Sequence, residues 1–565
     1  MSLNGALSIA SRSLDLFSLG IQVSGNNIAN ASTPGYVRDE LYTGPVPPYF
    51  SAGVLIGNGA IAVGVRQVID RYLETRIHAA NSDATSADAR AQAYIQLQYS
   101  LKELGVDDLS TGLNAFIEAV QNAANQPNDP GMRSIVIQQG QRFADQVAGL
   151  RTQVEELRAG YSEQIRSLVD EANGLIEQIE ALNPQIGQLE AYGIGSSQAG
   201  ALRVQRLNAL NRLSEIIPIR IREDASGQVE VFTGSEFLIL NGTSQRLEAI
   251  VAPTVSGVAA VNVETSRTHF ALGGGGGELG GAIESRDRIL TDFIGQLDQF
   301  VGSVIYEFNK VHSGGEGLVG YDSVTSSFFV NDTTAALNAA GLAFSPQHGS
   351  FQLKTVNSAS GAVTVFNMPI DLDGLGTDTS LEDLRAALDA LDNVTAEITS
   401  DRRLKISADD GYELRFGNDT SGALAALGIN TFFSGSSSDD IGLNPLIAAD
   451  QRLFASGRGG GPSDNSNALE LAQILDRPVE ALGGVSVEQF YTNVVGTVAQ
   501  AGAAEQVLAD GAASFRDSLF AQREQRSGVS LDEEAIKVMS LQHNYQAAAR
   551  IITAIDELLR TLLQI

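Results

Sequence analysis

Both ends of this chain carry apolar residues at alternating steps of four and three, and that spacing restricts the fold more than any other feature. From the N-terminus, Leu3, Leu7, Ala10, Leu14, Phe17, Ile21, Ser24 and Ile28 follow it. This is the a/d spacing of a helix-pairing seam. Near the C-terminus, Leu531, Ala535, Val538, Tyr545, Ala548, Ile552, Ile555, Leu559 and Leu562 repeat it, with polar Gln542 on the missing rung. A stripe this narrow is too thin for the outside of a globule and suits packing between helices. Chain ends are ordinarily polar and frayed. Two apolar seams at the termini are unfavourable in water, so the spacing predicts that the terminal helices pair and that copies of the pair pack side by side. The alternative is an ordinary helical hairpin within one chain.

The first seam stops at NNIANASTPGY, residues 26–36. Asn30 suits the left-handed conformation after a helix end. Pro34 and Gly35 suit the centre of a type II turn between Thr33 and Tyr36. Asn26 and Asn27 occupy the last helical turn, with amides in reach of nearby carbonyls. The second seam starts at Ser530, a cap with Glu533 as capping-box partner. Asp532, Glu533 and Glu534 oppose the positive helix end. No stop signal follows.

Composition narrows the function. Lys plus Arg number 37 against 67 Asp plus Glu, a net charge of -30. Such a chain is repelled by nucleic acids and anionic membranes. It has no Cys, hence no disulfide and no thiolate chemistry. The five His are scattered, with no two at ligand spacing. No run of about 18 apolar residues predicts a transmembrane helix. Polar residues interrupt any signal-peptide core at the N-terminus. No catalytic, cofactor-binding or metal residue is assigned.

Two formal motifs have plainer readings. Gly275, Gly277 and Gly280 make a G-x-G-x-x-G within a glycine run, but Glu278 would oppose a pyrophosphate, and a hinge accounts for it as well. Asp371, Asp373, Gly376 and Glu382 fit a calcium loop, yet Leu375 spoils it and a strand precedes it. Capping by Ser380 or Thr379, with Glu382 and Asp383 at the helix start, explains the same residues.

The predicted fold is mainly α with an inserted β-rich domain. Residues 1–40 and 528–565 form a terminal coiled-coil domain. Residues 41–313 and 465–527 form an elongated helical bundle, with a small antiparallel meander at about 217–271. Helices are expected over Val63–Leu104, from Ser110, along Phe143–Leu182 with a break at Asn183-Pro184, over Ile283–His312, and along a stripe containing Phe490, Leu508, Phe515 and Leu519. Residues 314–464 form a projecting β/α domain, with SGRGGGPSDNSN (456–467) as its return linker.

The two terminal motifs together resemble the axial proteins of the bacterial flagellum, the rod, hook and hook-associated proteins. GVSLDEEA, long helices after the first motif, and the segment DLDGLGTDTSLEDLRAALDAL resemble the junction members of that family. The resemblance implies a structural protein rather than an enzyme, assembled as a homo-oligomeric ring between hook and filament. Implied partners are hook protein, a second junction protein, and an export chaperone on the C-terminal helix. It also implies type III export without a cleaved signal, an extracellular location, and terminal helices that order on assembly. Neither nucleic-acid binding nor membrane insertion is expected. The alternatives are a hook or distal rod protein of the same family, or a surface hydrolase housed in the inserted domain.

Overall fold

The computed structural model describes residues 3–51, 54–101, 108–190, 199–224, 226–251, 261–273 and 275–563. Helix α1 (Leu3–Asn30) leads into strands β1 (Asp39–Pro45), β2 (Tyr49–Ser51), β3 (Val54–Ile56) and β4 (Ala60–Gln67). Helices α2 (Arg71–Leu101), α3 (Leu109–Asn125), α4 (Pro130–Leu189) and α5 (Gly200–Ile216) follow. Next come β5 (Arg220–Glu223), β6 (Val229–Thr233), β7 (Glu236–Leu240), β8 (Thr243–Ser244), β9 (Leu247–Val251) and β10 (Val261–Thr265). Helix α6 (Gly277–Glu284) passes through a π turn, Ser285–Ile289, into α7 (Leu290–Ser313). Then follow β11 (Ser323–Thr325), β12 (Gly349–Asn357), β13 (Val363–Ile370), α8 (Leu381–Asp389), β14 (Val394–Ile398), β15 (Leu404–Ala408), β16 (Tyr412–Gly417) and α9 (Ala423–Leu427). The chain closes with β17 (Phe433–Ser434), β18 (Gly442–Leu443), α10 (Pro445–Ala449), α11 (Ser466–Leu471), α12 (Val487–Ser527) and α13 (Leu531–Leu563). It is mainly α, with several small antiparallel sheets.

Two compact units contain these elements: one of residues 1–93, 159–287 and 502–565, the other of 94–158 and 288–501. In the first, Leu73, Ile77 and Ala80 of α2 pack on Leu519 and Phe520 of α12. Ala87 and Ala91 meet Ala509 one layer along; alanine at these points lets helix backbones approach closely. The meander β5-β6-β7-β8 forms as its period-two sequence predicts. It is held to α4 by side-chain amides. Asn183 Nδ2 donates to the Val229 carbonyl at 2.8 Å, and its Oδ1 accepts the Val229 N–H at 3.2 Å. Asn173 does the same to Leu247, at 2.9 and 2.8 Å.

This anchoring overturns one expectation. The helix does not break at Asn183-Pro184; α4 runs through Pro184 to Leu189. Buried Asn183 also accepts from Arg206 at 3.0 Å, so tertiary bonds hold the backbone helical where the local preference is to leave it. Two other boundaries move. Val63 lies in β4, and the helix begins only at Arg71; residues 60–67 alternate in exposure as a strand does. Residues 102–104 lie outside the described residues. The Ile283–His312 helix is divided by the π turn.

The second unit is built around aromatic rings. Phe116 lies 5.0, 5.4 and 5.4 Å from Phe308, Phe432 and Phe433, centroid to centroid. Asn309 holds the turn bearing two of those rings: its Oδ1 accepts both Phe432 and Phe433 N–H at 2.9 Å, and its Nδ2 donates to the Phe433 carbonyl. Strands β13-β12-β16 and β11-β15-β14 form two three-stranded sheets. The 456–467 segment is not a loose linker. Asp464 carboxylate oxygens gather the N–H groups of Arg458, Gly460 and Ser466, at 2.6, 2.9 and 3.0 Å. Residue 316 pairs both ways with residue 457.

Buried His312 has a fixed proton. Its Nε2 accepts the Ala455 N–H at 3.0 Å, so Nδ1 is the donor to the Asn430 carbonyl at 2.8 Å. Burial lowers its pKa to about 4, and lowers that of His78 likewise to about 4. Between those values and the ordinary 6.5 the unfolded chain binds protons that the folded chain refuses. The associated stability is therefore present above pH 6.5 and lost as pH falls toward 4. We expect the thermal midpoint to drop over that window, each ring costing on the order of 3 kcal/mol. His312→Asn should flatten the pH dependence of the melting curve while lowering its plateau.

Candidate assembly interface

Helices α1 and α13 lie against each other in opposite directions. Gly20 meets Leu541, while Ala6, Ile9, Ala10, Ser13 and Phe17 share a groove of about 440 Å³ with Asn544, Ala547, Ala548 and Ile551. A Cβ on Gly20 would stand 3.0 Å from Leu541 Cδ1, so glycine sets how closely the helices approach. The β1–β4 hairpin covers another side of α1. Arg12 donates to the Asn58 carbonyl at 3.1 Å, and Leu41 lies beside Gly20.

The stop motif locks this corner. Asn27 is fully buried. Its Nδ2 donates to the Asp39 carbonyl at 2.8 Å, and its Oδ1 accepts the Asp39 N–H at 2.9 Å and the Tyr36 hydroxyl at 3.0 Å. Asn26 Nδ2 donates to Tyr36 Oη at 3.2 Å. Burial, with Asp39 and Glu534 nearby, pushes the Tyr36 phenol up to about 12, so it stays a donor. Burial also raises the Asp39 carboxyl. Thr33 to Tyr36 closes as a turn, with Tyr36 N–H donating to Thr33 O at 3.1 Å and Gly35 at φ +73°. Asn30 departs from expectation. It ends α1 without entering the left-handed region, and its amide instead donates back to the Asn26 carbonyl at 3.0 Å, a bond that favours the helical turn.

At the start of α13, Ser530 Oγ accepts the Glu533 N–H at 3.4 Å. The Glu533 carboxylate faces Arg38 at 3.5 Å rather than closing a capping box. Buried Glu534 takes the inward position.

The structure sorts the seam residues into two sets. Leu3, Leu7, Leu14, Phe17 and Ile21 are half-buried, and Ile28 is exposed. On α13 the inward stripe runs Glu534, Val538, Leu541, Tyr545, Ala548, Ile552, Ile555 and Leu559, of which Ile555 is 5% exposed and Tyr545 40%. The expected first rungs, Leu531 and Ala535, point outward. Leu541, not Gln542, fills the missing rung, because residues one apart compete for the same gap and the apolar one meets Gly20. The side chain of Leu562 lies outside the described residues. A second stripe was not anticipated: Ile536, Met539 and Leu558 are 63%, 54% and 55% exposed. Steps of three and nineteen put them within about 100° of one another around the helix, while Ile551 lies at the rim of the groove shared with α1. Exposed Phe50, Val54 and Leu55 on β2 and β3 were missed as well; the two short apolar runs, Tyr49-Phe50 and Val54-Leu55-Ile56, on either side of Ala52-Gly53 were the available signal. On α12, Leu508 and Phe515 also face outward, and Ala509 takes the buried place.

The formal nucleotide motif holds no such site. The Gly277 position abuts the Ile216 carbonyl, leaving no room for a Cβ, and Glu278 pairs with Arg212 at 3.5 Å. Ser380 caps α8 in a full capping box with Asp383.

Replacing Gly20 with isoleucine should force α1 and α13 apart, at about 1–3 kcal/mol, read as faster amide exchange in both helices. Asn27→Leu should expose the Asp39 N–H to exchange, since each buried group left unpaired costs about 1–3 kcal/mol.

Comparison with known proteins fits this geometry. The family described as the flagellar hook-associated protein FlgK helical domain matches residues 94–329, and the flagellar basal body rod FlgEFG protein C-terminal family matches 522–565. Flagellar hook-associated protein 1 of Bacillus subtilis is 25% identical, over 98% of this chain and 96% of its own length. That of Escherichia coli is 23% identical over 96% of each. The solved flagellar hook junction protein FlgK of Burkholderia pseudomallei shares the fold, with TM-score 0.54 at 14% identity, covering 81% of this chain and all of its own. One ground for the resemblance fails, because β structure does follow the first motif directly. With relatives matched along almost the whole chain and two flagellar family models matching its body and its C-terminal helix, the chain is similar to the flagellar hook-associated proteins, structural parts of the flagellum.

Proposed function

We propose that this protein forms the ring joining hook to filament and polymerises through its terminal helices, which pair as a coiled coil. The observation that carries this reading is the outward stripe Ile536, Met539 and Leu558, which the partner helix leaves more than half exposed. Three large apolar side chains facing water on one helix are unfavourable by up to roughly 1.5–3 kcal/mol each relative to burial, and a second copy offers the matching surface. Pairing within a chain and packing between chains are then successive uses of one helix. The division into terminal, bundle and projecting domains, contacts with hook protein and a second junction protein, chaperone capture of α13, and export without a cleaved signal belong to this reading.

Leu14→Asp and Ile555→Asp should block incorporation into the axial structure by breaking the pair. Ile536→Asp tests the outward face separately. It should leave the monomer's circular dichroism unchanged, yet abolish incorporation in a strain lacking the native protein. Normal incorporation of Ile536→Asp would refute packing through this face.

A further inference from the structure

Strand β13 is an edge of the sheet β13-β12-β16, and its free side is open. The Ser358 N–H donates to the Gly411 carbonyl and the Ser350 carbonyl accepts the Thr420 N–H, both at 2.9 Å. Even-numbered residues along β12 therefore turn their backbone groups toward the β16 side. Asn357 turns the other way and donates to the Ala362 carbonyl at 2.9 Å. An antiparallel ladder alternates in this manner along its whole register, here from Val356 opposite Val363 to Gly349 opposite Ile370. Thr364, Phe366, Met368 and Ile370 thus bond β12, while Val363, Val365 and Asn367 point their N–H and C=O groups away from the sheet. The same phase reappears at Asp371, whose N–H and carbonyl both meet Thr379, at 2.9 and 2.7 Å. Among the described residues, no hydrogen bond reaches the outward backbone groups of Val363, Val365 and Asn367.

Other edges of this unit are guarded. Tyr321 pairs with Leu414 of β16, each N–H donating to the other's carbonyl at 2.8 Å, and β16 carries Glu413 and Arg415. On the second sheet, the Ala396 N–H of β14 is taken by Asp389 Oδ1 at 3.0 Å. Folded proteins ordinarily protect an edge with charge, proline or a covering segment. Residues 359–370 contain no charged side chain, and Pro369 stands only near the far end. Val363 and Val365 are 54% and 51% exposed. A strand with bare backbone groups, β-branched side chains and no charge is a template for one more strand.

We propose that β13 pairs antiparallel with β13 of a second copy of this chain. The outward residues are placed symmetrically about Val365. A two-fold axis there sets Val365 against Val365 of the second copy, Val363 against its Asn367, and Asn367 against its Val363. Each such pair exchanges both its bonds, so every outward donor and acceptor of the three residues is used. The nearest acid, Asp371, falls opposite Ala359 of the second copy, so like charges do not meet along the strand. A strand of another protein would need the same spacing of free groups and the same lack of charge; a second copy has both. A single strand pair is small beside the roughly 1,200 Å² of a stable complex, and a net charge of -30 on each chain drives copies apart. The pair therefore forms reversibly, at high concentration and in salt that screens the repulsion. A two-fold pair is closed and joins copies that point in opposite directions. It belongs to copies outside any ring, and it stands whether or not the terminal helices build one.

The test is sedimentation velocity of the full chain at rising concentration in about 0.05 and 0.5 M sodium chloride, with amide hydrogen exchange of peptides covering residues 362–369. The expected result is a monomer–dimer equilibrium that tightens with salt, with slowed exchange of those peptides in the dimer. Val365→Pro removes an N–H that β12 does not use, so it leaves the sheet intact. It should weaken the dimer at least about tenfold with unchanged circular dichroism, as should Val365→Lys. Val365→Thr, still β-branched and uncharged, should dimerise like the native chain. A monomer under every condition, or a dimer that Val365→Pro does not weaken, would overturn the pairing. A dimer built through the terminal helices gives the second of these results, so the two surfaces are told apart.

Discussion

The asparagine side chain grips strand backbone throughout this protein. A primary amide carries the same donor and acceptor as a peptide group, so one asparagine on a helix can satisfy both the N–H and the C=O of a single strand residue. Asn27 does this to Asp39, Asn173 to Leu247, Asn183 to Val229 and Asn309 to Phe433. Short sheets have many unpaired edge groups for their size, and burying such a group unpaired is costly. The clamps remove that cost where β elements dock on helices, and they fix register as well as contact. Without Asn27 the β1–β4 hairpin would keep its contacts to Arg12 and Gly20 of α1 but lose the paired bonds that fix Asp39 against the helix.

The terminal pair shows how one helix serves two surfaces. Helix α13 turns an ordinary a/d stripe onto α1 and keeps a second apolar stripe outward. The inner interface is fitted by a glycine and small residues, which favour close approach and discriminate between partners. The outer stripe is composed of larger side chains, branched Ile536 and Leu558 with Met539 the one flexible member. Two apolar stripes on one helix leave little of its surface for polar residues.

Much of this was legible beforehand, for stated reasons. Period-two alternation located the meander near 217–271, and capping by Ser380 accounted for the acids of the calcium pattern. What escaped was decided by partners far away in sequence. Pro184 reads as a break until Val229 and Arg206 are seen holding Asn183. Leu541 and Gln542 are equivalent to a heptad count, and only Gly20 across the interface chooses between them. His348 and Asp371 stand 23 positions apart, and only strand register makes them neighbours.

Because α1 ends at Asn30 and α13 begins only at Leu531, a ribosome makes the partner of the earlier helix long after that helix itself. At the usual elongation speed, residues 30 to 531 take roughly half a minute to two minutes to emerge. Throughout that interval α1 waits with its greasy side bare. The glycine, alanine and serine that fit it so closely to α13 also make it a poor match for strangers in the meantime.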